Sequence, residues 1–146
     1  TKEEELFNSI LKAHYVNLDY VSVRNINYES VPSYLSLGHA GLSFYKPGYS
    51  RMACCPTKIG EYLACGLPVI INTGIGDTAK ILVKEGVGII LKGFLDIEYK
   101  KVGDELARLL LNKDLRERCR NVAKKYFSLQ DGILKYDAVY RRLLNL

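Results

Sequence analysis

The chain has 146 residues, of which 48% are hydrophobic and 25% are charged, a balance typical of one globular domain. Its longest apolar runs, such as LPVII and GVGIIL, are much shorter than the roughly 18 residues of a bilayer-spanning helix, which excludes a transmembrane segment. The net charge of +5 allows nucleic acid, an anionic membrane or a phosphorylated small molecule as a partner.

The N-terminal stretch TKEEELFNSILK is an acidic-headed amphipathic pattern, not a secretory signal, and it lacks an initiator Met. We therefore expect a fragment of a longer protein. The four cysteines, Cys54, Cys55, Cys65 and Cys119, show neither a disulfide framework nor zinc-ligand spacing. Reduced thiols and a cytoplasmic location are the expectation.

The period of the apolar residues predicts the elements in chain order. The first half contains a helix over 3–14, a strand over 19–23, a short helix over 30–37, a strand over 40–45 and a helix over 56–65. The second half contains strands over 68–72 and 87–91 around a helix over 77–85, then helices near 98–112, 114–127 and 131–145. No repeat or flexible linker interrupts the pattern, so we expect one domain over 1–146, with its C-terminal helices over about 98–146.

Short, nearly all-apolar strands that alternate with helices indicate a parallel sheet covered on both faces. The predicted fold is therefore a doubly wound, Rossmann-like α/β domain. Ligands of such sheets bind at the carboxyl ends of the strands, which here points to the loops 24–31, 46–57 and 72–78.

The second of these loops is basic. No Asp or Glu occurs between Ser30 and Gly60, whereas Lys46, Arg51 and Lys58 do. The first amides of a helix that begins at Pro56, together with its dipole, favour a phosphate ligand. The alternative is that the cations are solvated and that Pro56 only starts the helix.

Glu61 lies one turn into that helix, among mostly apolar neighbours. A buried, unpaired carboxylate is costly, but a ribose diol could satisfy it because a carboxylate accepts two hydroxyl hydrogen bonds. The alternative is an ion pair with Lys58 at the i, i+3 spacing of an exposed helix face.

NTGIGDT (72–78) is a second turn from a strand to a helix. Gly74 and Gly76 can take positive φ and bring backbone amides close to a ligand, and Asp77 or Thr78 would cap the next helix. A bare tight turn is the alternative. Asp96 resembles part of a D-x-D metal motif but is better explained as a helix N-cap, so no metal is expected.

Four stretches together resemble the C-terminal, donor-binding domain of GT-B glycosyltransferases of the GT4-like group. They are VPSYLSLGHAGLSFYKP, CCPTKIGEYLACGLPVIINTGIGDTAKIL, GVGIILK and the tail from LNKDLRERCRN onward. The resemblance runs from about residue 16 to the end and is most specific in PTKIGEYLACGLPVI.

Carried over by residue, the resemblance makes Glu61 the acid that binds the nucleotide ribose. It places Thr57 and Lys58 opposite the donor pyrophosphate, with Lys58 and Arg51 as the candidates for neutralising it. Gly74 and Gly76 fall in the family's glycine turn, and no residue is identified as a catalytic base.

The chain departs from the family pattern in three respects. Ala53 stands where the family usually has the Glu that contacts the transferred sugar. The opening strand and helix of the domain, with its basic pair, and the acceptor-binding N-terminal domain are expected upstream of Thr1. The chain would thus be an N-terminally truncated half of a GT-B fold.

The resemblance implies a hexosyltransferase-like enzyme, retaining in stereochemistry, that uses a nucleotide-diphosphate sugar without cofactor or metal, in polysaccharide or glycoconjugate synthesis. The fragment alone is expected to be inactive. Its partners would be the donor and the missing acceptor-binding domain, and peripheral membrane association of the whole protein is allowed. The alternatives are a non-catalytic nucleotide-binding or scaffold domain, and a nucleic-acid-binding module, which the mixed charges of the tail disfavour.

Overall fold

The computed structural model describes the backbone of residues 2–145 and the side chains of residues 5–145. The chain divides into two compact units, one that ends at Ser30 and one that starts at Val31. The prediction that residues 1–146 form a single nucleotide-sugar-binding domain stays a prediction.

The unit up to Ser30 contains helix α1 (Lys2–Ala13) and the single 3₁₀ turns Leu18–Tyr20 and Tyr28–Ser30. The predicted first helix is confirmed, but the predicted strand over 19–23 is wrong. The Asn17 side chain accepts a hydrogen bond from the Asp19 amide at 2.9 Å and so closes a turn at the start of that stretch. A local Asx turn therefore replaces the alternating strand that the apolar pattern indicated.

The unit from Val31 onward contains the sheet and six helices within its described residues. Its elements in chain order are α2 (Val31–Ser36), β1 (Gly41–Ser43), a 3₁₀ turn (Tyr49–Ala53), α3 (Thr57–Ala64), β2 (Val69–Asn72), α4 (Thr78–Lys84), β3 (Gly88–Leu91), α5 (Asp96–Leu110), α6 (Leu115–Phe127) and α7 (Leu129–Leu144).

The three strands form a parallel sheet in the order β1-β2-β3. Residue Val69 of β2 pairs with Gly41 on one side and with Gly88 on the other. Every residue of β2 is buried, which is the pattern of a strand covered on both faces. This parallel sheet flanked by helices confirms the predicted Rossmann-like α/β fold class.

The core lies between the sheet and helices α3, α4 and α6. Ile59 and Leu63 of α3 and Val69 and Ile71 of β2 are fully buried in it. Helix α6 adds a stripe at helical spacing, namely Leu115, Cys119, Val122 and Ala123. Burial of a large aliphatic side chain contributes about 1.5–3 kcal/mol, so this layer fixes α3 on the sheet.

A glycine allows α3 to approach β1 closely. A Cβ atom on Gly41 would lie 2.3 Å from the ring of Tyr62, so only a residue without a side chain fits under that ring. The Tyr62 hydroxyl donates to the carbonyl of Leu42 at 3.4 Å on the same strand. The C-terminal half of α3 is thereby held next to the start of β1.

Two predicted helix starts are corrected by the structure. Asp96 is the first residue of α5 and Leu95 is its N-cap, so the acid interacts with the first turn through the helix dipole instead of capping it. Helix α7 starts two residues before the predicted residue 131. Its N-cap is Ser128, whose hydroxyl accepts from the Asp131 amide at 3.2 Å.

Helix α7 is amphipathic, yet none of its residues is buried. Large apolar side chains stay exposed along its length, among them Ile133, Leu134, Val139 and Leu143. Over the stretch that the structure describes, neither α7 nor any other helix has the length and apolar character to cross a membrane.

Candidate functional site

The candidate site lies at the carboxyl ends of β1 and β2. Residues 44–56, here called the β1 loop, connect β1 to α3, and residues 73–77, here called the β2 turn, connect β2 to α4. These segments correspond to two of the three loops predicted from the sequence. The third, 24–31, spans the boundary between the two units.

The β2 turn contacts the β1 loop through Gly76. The Gly76 amide donates to the Arg51 carbonyl at 3.1 Å, and a Cβ atom on Gly76 would lie 2.4 Å from the Cys54 carbonyl oxygen. Gly74 and Gly76 have φ of 85° and 44°, which confirms the predicted positive φ. Gly76 is thus required both by its conformation and by the close approach of the two segments.

Asn72, which the sequence analysis did not single out, joins the exits of the two strands. Its Oδ1 accepts from the Tyr45 amide at 2.8 Å, and its Nδ2 donates to the Tyr45 carbonyl at 2.9 Å and to the Thr73 carbonyl at 3.1 Å. The residue is 2% exposed. Its one sequence signal was an amide at the end of a buried apolar strand, where an unbonded polar group would be costly.

Arg51 lies at the surface of the β1 loop, in its 3₁₀ turn. Its guanidinium is placed over the ring of Tyr45, 5.3 Å from the centroid, in a cation–π arrangement. Arg51 is therefore held by the same tyrosine that Asn72 binds through the backbone. Lys46 is exposed at the start of the loop, so both cations remain accessible.

Helix α3 begins at Thr57, where the β1 loop ends. Its N-cap is Pro56, and no side chain of residues 5–145 makes a capping hydrogen bond there. The Ile59 amide donates to the Pro56 carbonyl at 3.1 Å, whereas the Thr57 and Lys58 amides have no acceptor among the described residues, so an anion is a suitable partner for these two. Thr57 and Lys58 are both exposed at this end, as an anion site requires.

Glu61 lies on the exposed surface of α3, one turn from the N-terminus. Among the side chains of residues 5–145, it has neither a hydrogen-bond partner nor an ion-pair partner. The alternative Lys58–Glu61 pair is therefore absent from the described residues. The carboxylate that the sequence placed in an apolar stretch faces solvent and is available to a ligand.

A pocket of about 260 Å³ is lined by residues of both the β1 loop and the β2 turn. One wall is Met52, Ala53, Cys54 and Cys55, and the other is Gly76, Asp77, Thr78 and Ile81. A larger groove of about 320 Å³ between α3 and α6 is rimmed by Arg120 and Lys124, and its lining includes no residue of the β1 loop or the β2 turn. The smaller pocket is the one that the paired loops form.

Asp77 is the N-cap residue of α4 by position, but its carboxylate does not cap the helix. It instead accepts a hydrogen bond from Lys80 at 2.9 Å, and this hydrogen bond lowers the pKa of Asp77. Asp77 therefore contributes a charged, exposed pair to the rim of the pocket.

The cysteines around the site are free thiols. Cys55 is exposed on the pocket wall, whereas Cys119 is buried in α6, where burial raises the pKa of its thiol to about 11. In the part of the chain that is described, three or more His, Cys, Asp or Glu side chains nowhere gather as they would around a metal ion.

Comparison with known proteins gives one finding. The family model described as glucosyltransferase 3-like, C-terminal domain matches residues 21–138, well over half of the chain. Neither a curated protein nor a solved structure gave a match. The matched range includes the β1 loop, α3 and the β2 turn.

Proposed function

Since the chain belongs to the glucosyltransferase 3-like C-terminal domain family, we propose that it is the donor-binding domain of a glycosyltransferase, with a nucleotide-diphosphate sugar as its ligand. Family membership supports a glycosyltransferase-related function. The ligand, the GT-B architecture and the GT4-like grouping are the proposed parts, together with a role in polysaccharide or glycoconjugate synthesis.

The observation that carries the proposal is the N-terminus of α3, which no described side chain caps, next to the exposed carboxylate of Glu61 on the same helix. Thr57 and Lys58 offer free first-turn amides to a diphosphate, and Glu61 is exposed one turn further on. The axial rise of one helical turn is about 5.4 Å, which suits a ligand that carries a phosphate and a diol side by side. A nucleoside diphosphate has both groups.

The chemical contribution of this domain would be to stabilise the leaving diphosphate. Lys58, Arg51 and the amides at the start of α3 supply positive charge or hydrogen-bond donors at the places where negative charge develops. Gly74 and Gly76 let the β2 turn approach the ligand. The acceptor would be held by a separate domain, so this chain alone binds the donor but does not transfer the sugar.

The proposal is tested by following backbone amide NMR shifts during titration with UDP, GDP, CMP, ADP and their common sugar conjugates. We expect one nucleotide to shift the amides of residues 55–62 and 73–78. Glu61→Gln should lower the affinity for that nucleotide about tenfold, because it removes a charge-assisted hydrogen bond. The free energy of unfolding should stay unchanged. Equal affinity for wild type and variant would reject the ribose assignment.

The matched control is Glu105→Gln on the exposed surface of α5, far from the strand ends in sequence. It removes the same charge from the chain and should leave nucleotide affinity unchanged. A similar loss in both variants would attribute the effect to net charge, not to a contact with ribose.

A second candidate is a non-catalytic nucleotide-binding domain of the same ancestry. Ala53 on the pocket wall favours it, because no carboxylate reaches the sugar from that position. Assay of the full-length protein with the nucleotide sugar identified by titration separates the two. Turnover supports the transferase, and tight binding without transfer or hydrolysis supports the alternative.

A further inference from the structure

We infer that Asn72 is a positioning residue of the candidate donor site. Its side chain holds the β1 loop and the β2 turn in fixed positions relative to each other. The inference rests on the proposed function for its consequence in binding, but its structural basis is independent of any ligand. It concerns the amide side chain alone, which is too deeply buried to be a ligand contact at 2% exposure.

Asn72 lies at the point where the backbone pairing of β1 with β2 stops. The backbone pairing of β1 with β2 ends at Ser43 and Ile71, so the strands are no longer paired by the ladder beyond that point. Asn72 continues the connection by one residue pair, since its side chain exchanges two hydrogen bonds with the Tyr45 backbone. A side-chain amide thus takes the place of a backbone pair.

The hydrogen bonds of Asn72 connect to the residues of the candidate site through Tyr45 and Thr73. The Tyr45 that Asn72 fixes carries the guanidinium of Arg51 above its ring. The carbonyl of Arg51 in turn accepts the amide of Gly76 in the β2 turn. The third hydrogen bond of Asn72 goes to Thr73, the first residue of that turn. Both segments are therefore fixed at their base by one side chain.

Loss of the hydrogen bonds that Asn72 makes would destabilise the arrangement of the β1 loop and the β2 turn. Removing the Asn72 amide would leave the partly buried Tyr45 amide and carbonyl without these partners. The free-energy difference that favours the native loop conformation over open conformations would therefore fall. The Gly76–Arg51 contact and the placement of Arg51 would be lost with it. Helix α3, which is held by its own buried face, would keep its place.

The test uses Asn72→Leu, an uncharged change that keeps the branched shape and the number of side-chain heavy atoms. It is compared with Ile71→Val on the same strand, which removes a methylene group and no polar contact. Hydrogen exchange of the Gly76 amide reports the loop contact, and that of the Val69 amide, which donates to Val87, reports the sheet. We expect the ratio of the Gly76 exchange rate to the Val69 exchange rate to be about tenfold higher in the Asn72 variant than in wild type. The Ile71 variant should leave that ratio unchanged.

The binding arm compares a nucleoside with its diphosphate. The nucleoside diphosphate should bind more tightly than the nucleoside, and in Asn72→Leu we expect the ratio of the two affinities to fall about tenfold. The affinity for the nucleoside itself should stay unchanged, because Glu61 is not displaced. A merely structural role would lower the population of folded chain and affect both ligands alike. Equal losses for nucleoside and diphosphate would overturn the inference.

Wild type alone provides a further check if the variant does not fold. The Tyr45 and Gly76 amides should exchange through one shared opening with similar protection, and fully unprotected exchange of Gly76 would overturn the inference. If wild type binds the nucleotides but the Gly76-to-Val69 ratio is the same in Asn72→Leu, only the role of Asn72 fails. If wild type binds none of them, the proposed function fails and the role at a donor site with it.

Discussion

Helices α3 and α7 are both amphipathic, but only α3 has buried residues. In α3, Ile59 and Leu63 are fully buried against the sheet and α6. In α7, which is twice as long, no residue is buried and Ile133, Leu134 and Leu143 remain exposed. An apolar stripe thus predicts that a helix forms, but the stripe contributes to stability only where another surface covers it.

The largest expected effect tests this difference directly. Leu63→Ala should lower the free energy of unfolding by about 3 kcal/mol, because it removes a fully buried side chain and leaves a cavity. Leu143→Ala, the same change on the exposed stripe of α7, should cost less than about 0.5 kcal/mol. Urea unfolding measures both, and equal losses would mean that α7 is covered in solution.

Gly41→Ala should have the next largest effect, about 1–3 kcal/mol, since the added methyl group overlaps the Tyr62 ring and pushes α3 away from β1. Gly93→Ala is its control, because a Cβ atom there meets nothing within 4 Å. Thermal unfolding of the two variants should differ clearly. An unchanged midpoint in Gly41→Ala would show that α3 is not held at this distance.

Glu85 gives a smaller, pH-dependent effect on the packing of α4 against α6. Its carboxylate accepts hydrogen bonds from Tyr126 and Lys125, and these hydrogen bonds, that from Tyr126 foremost, lower the pKa of Glu85 below its ordinary value of 4.5. A lowered folded-state pKa stabilises the fold above the ordinary value, and this contribution is lost as the pH falls through the folded pKa. Wild type should therefore exceed Glu85→Gln in stability at neutral pH, and the two should converge in acid.

The smallest effect is expected on α7. Asp137 pairs with Arg141 at 2.7 Å one turn away, but both side chains are more than half exposed. Exposed pairs of this kind contribute little because water and salt screen them, so Asp137→Asn should change the unfolding free energy by less than about 0.5 kcal/mol. A larger loss in urea unfolding would again indicate an unseen partner surface on this helix.

The sequence was sufficient where local chemistry defines an element. Helix α3 was predicted within one residue at each end, because Pro56 can start a helix and Gly66, with φ of 80°, ends one. The three strands of the sheet were likewise found within a few residues, since each is a short apolar run. The stretch 19–23 alternates as a half-buried strand does, but it has no partner strand among the described residues, and pairing is not a local property.

The candidate site likewise combines features that local sequence predicts with contacts that it does not predict. The helix start at Thr57 and the glycines of the β2 turn were predicted from their own neighbourhoods. The contacts of Asn72 with Tyr45 span 27 residues in sequence, so spacing along the chain could not reveal them. The placement of Arg51 over the Tyr45 ring is a contact of the folded loop and was equally hidden.

The unequal environments of the thiols have a practical consequence for spectroscopy. Cys55 is exposed beside the pocket, whereas Cys119 is buried and has a pKa of about 11, so it carries almost no thiolate near neutral pH. A maleimide dye or spin label therefore attaches at the mouth of the candidate site in preference to the core. The native chain thus has its own attachment point for an optical reporter of ligand occupancy.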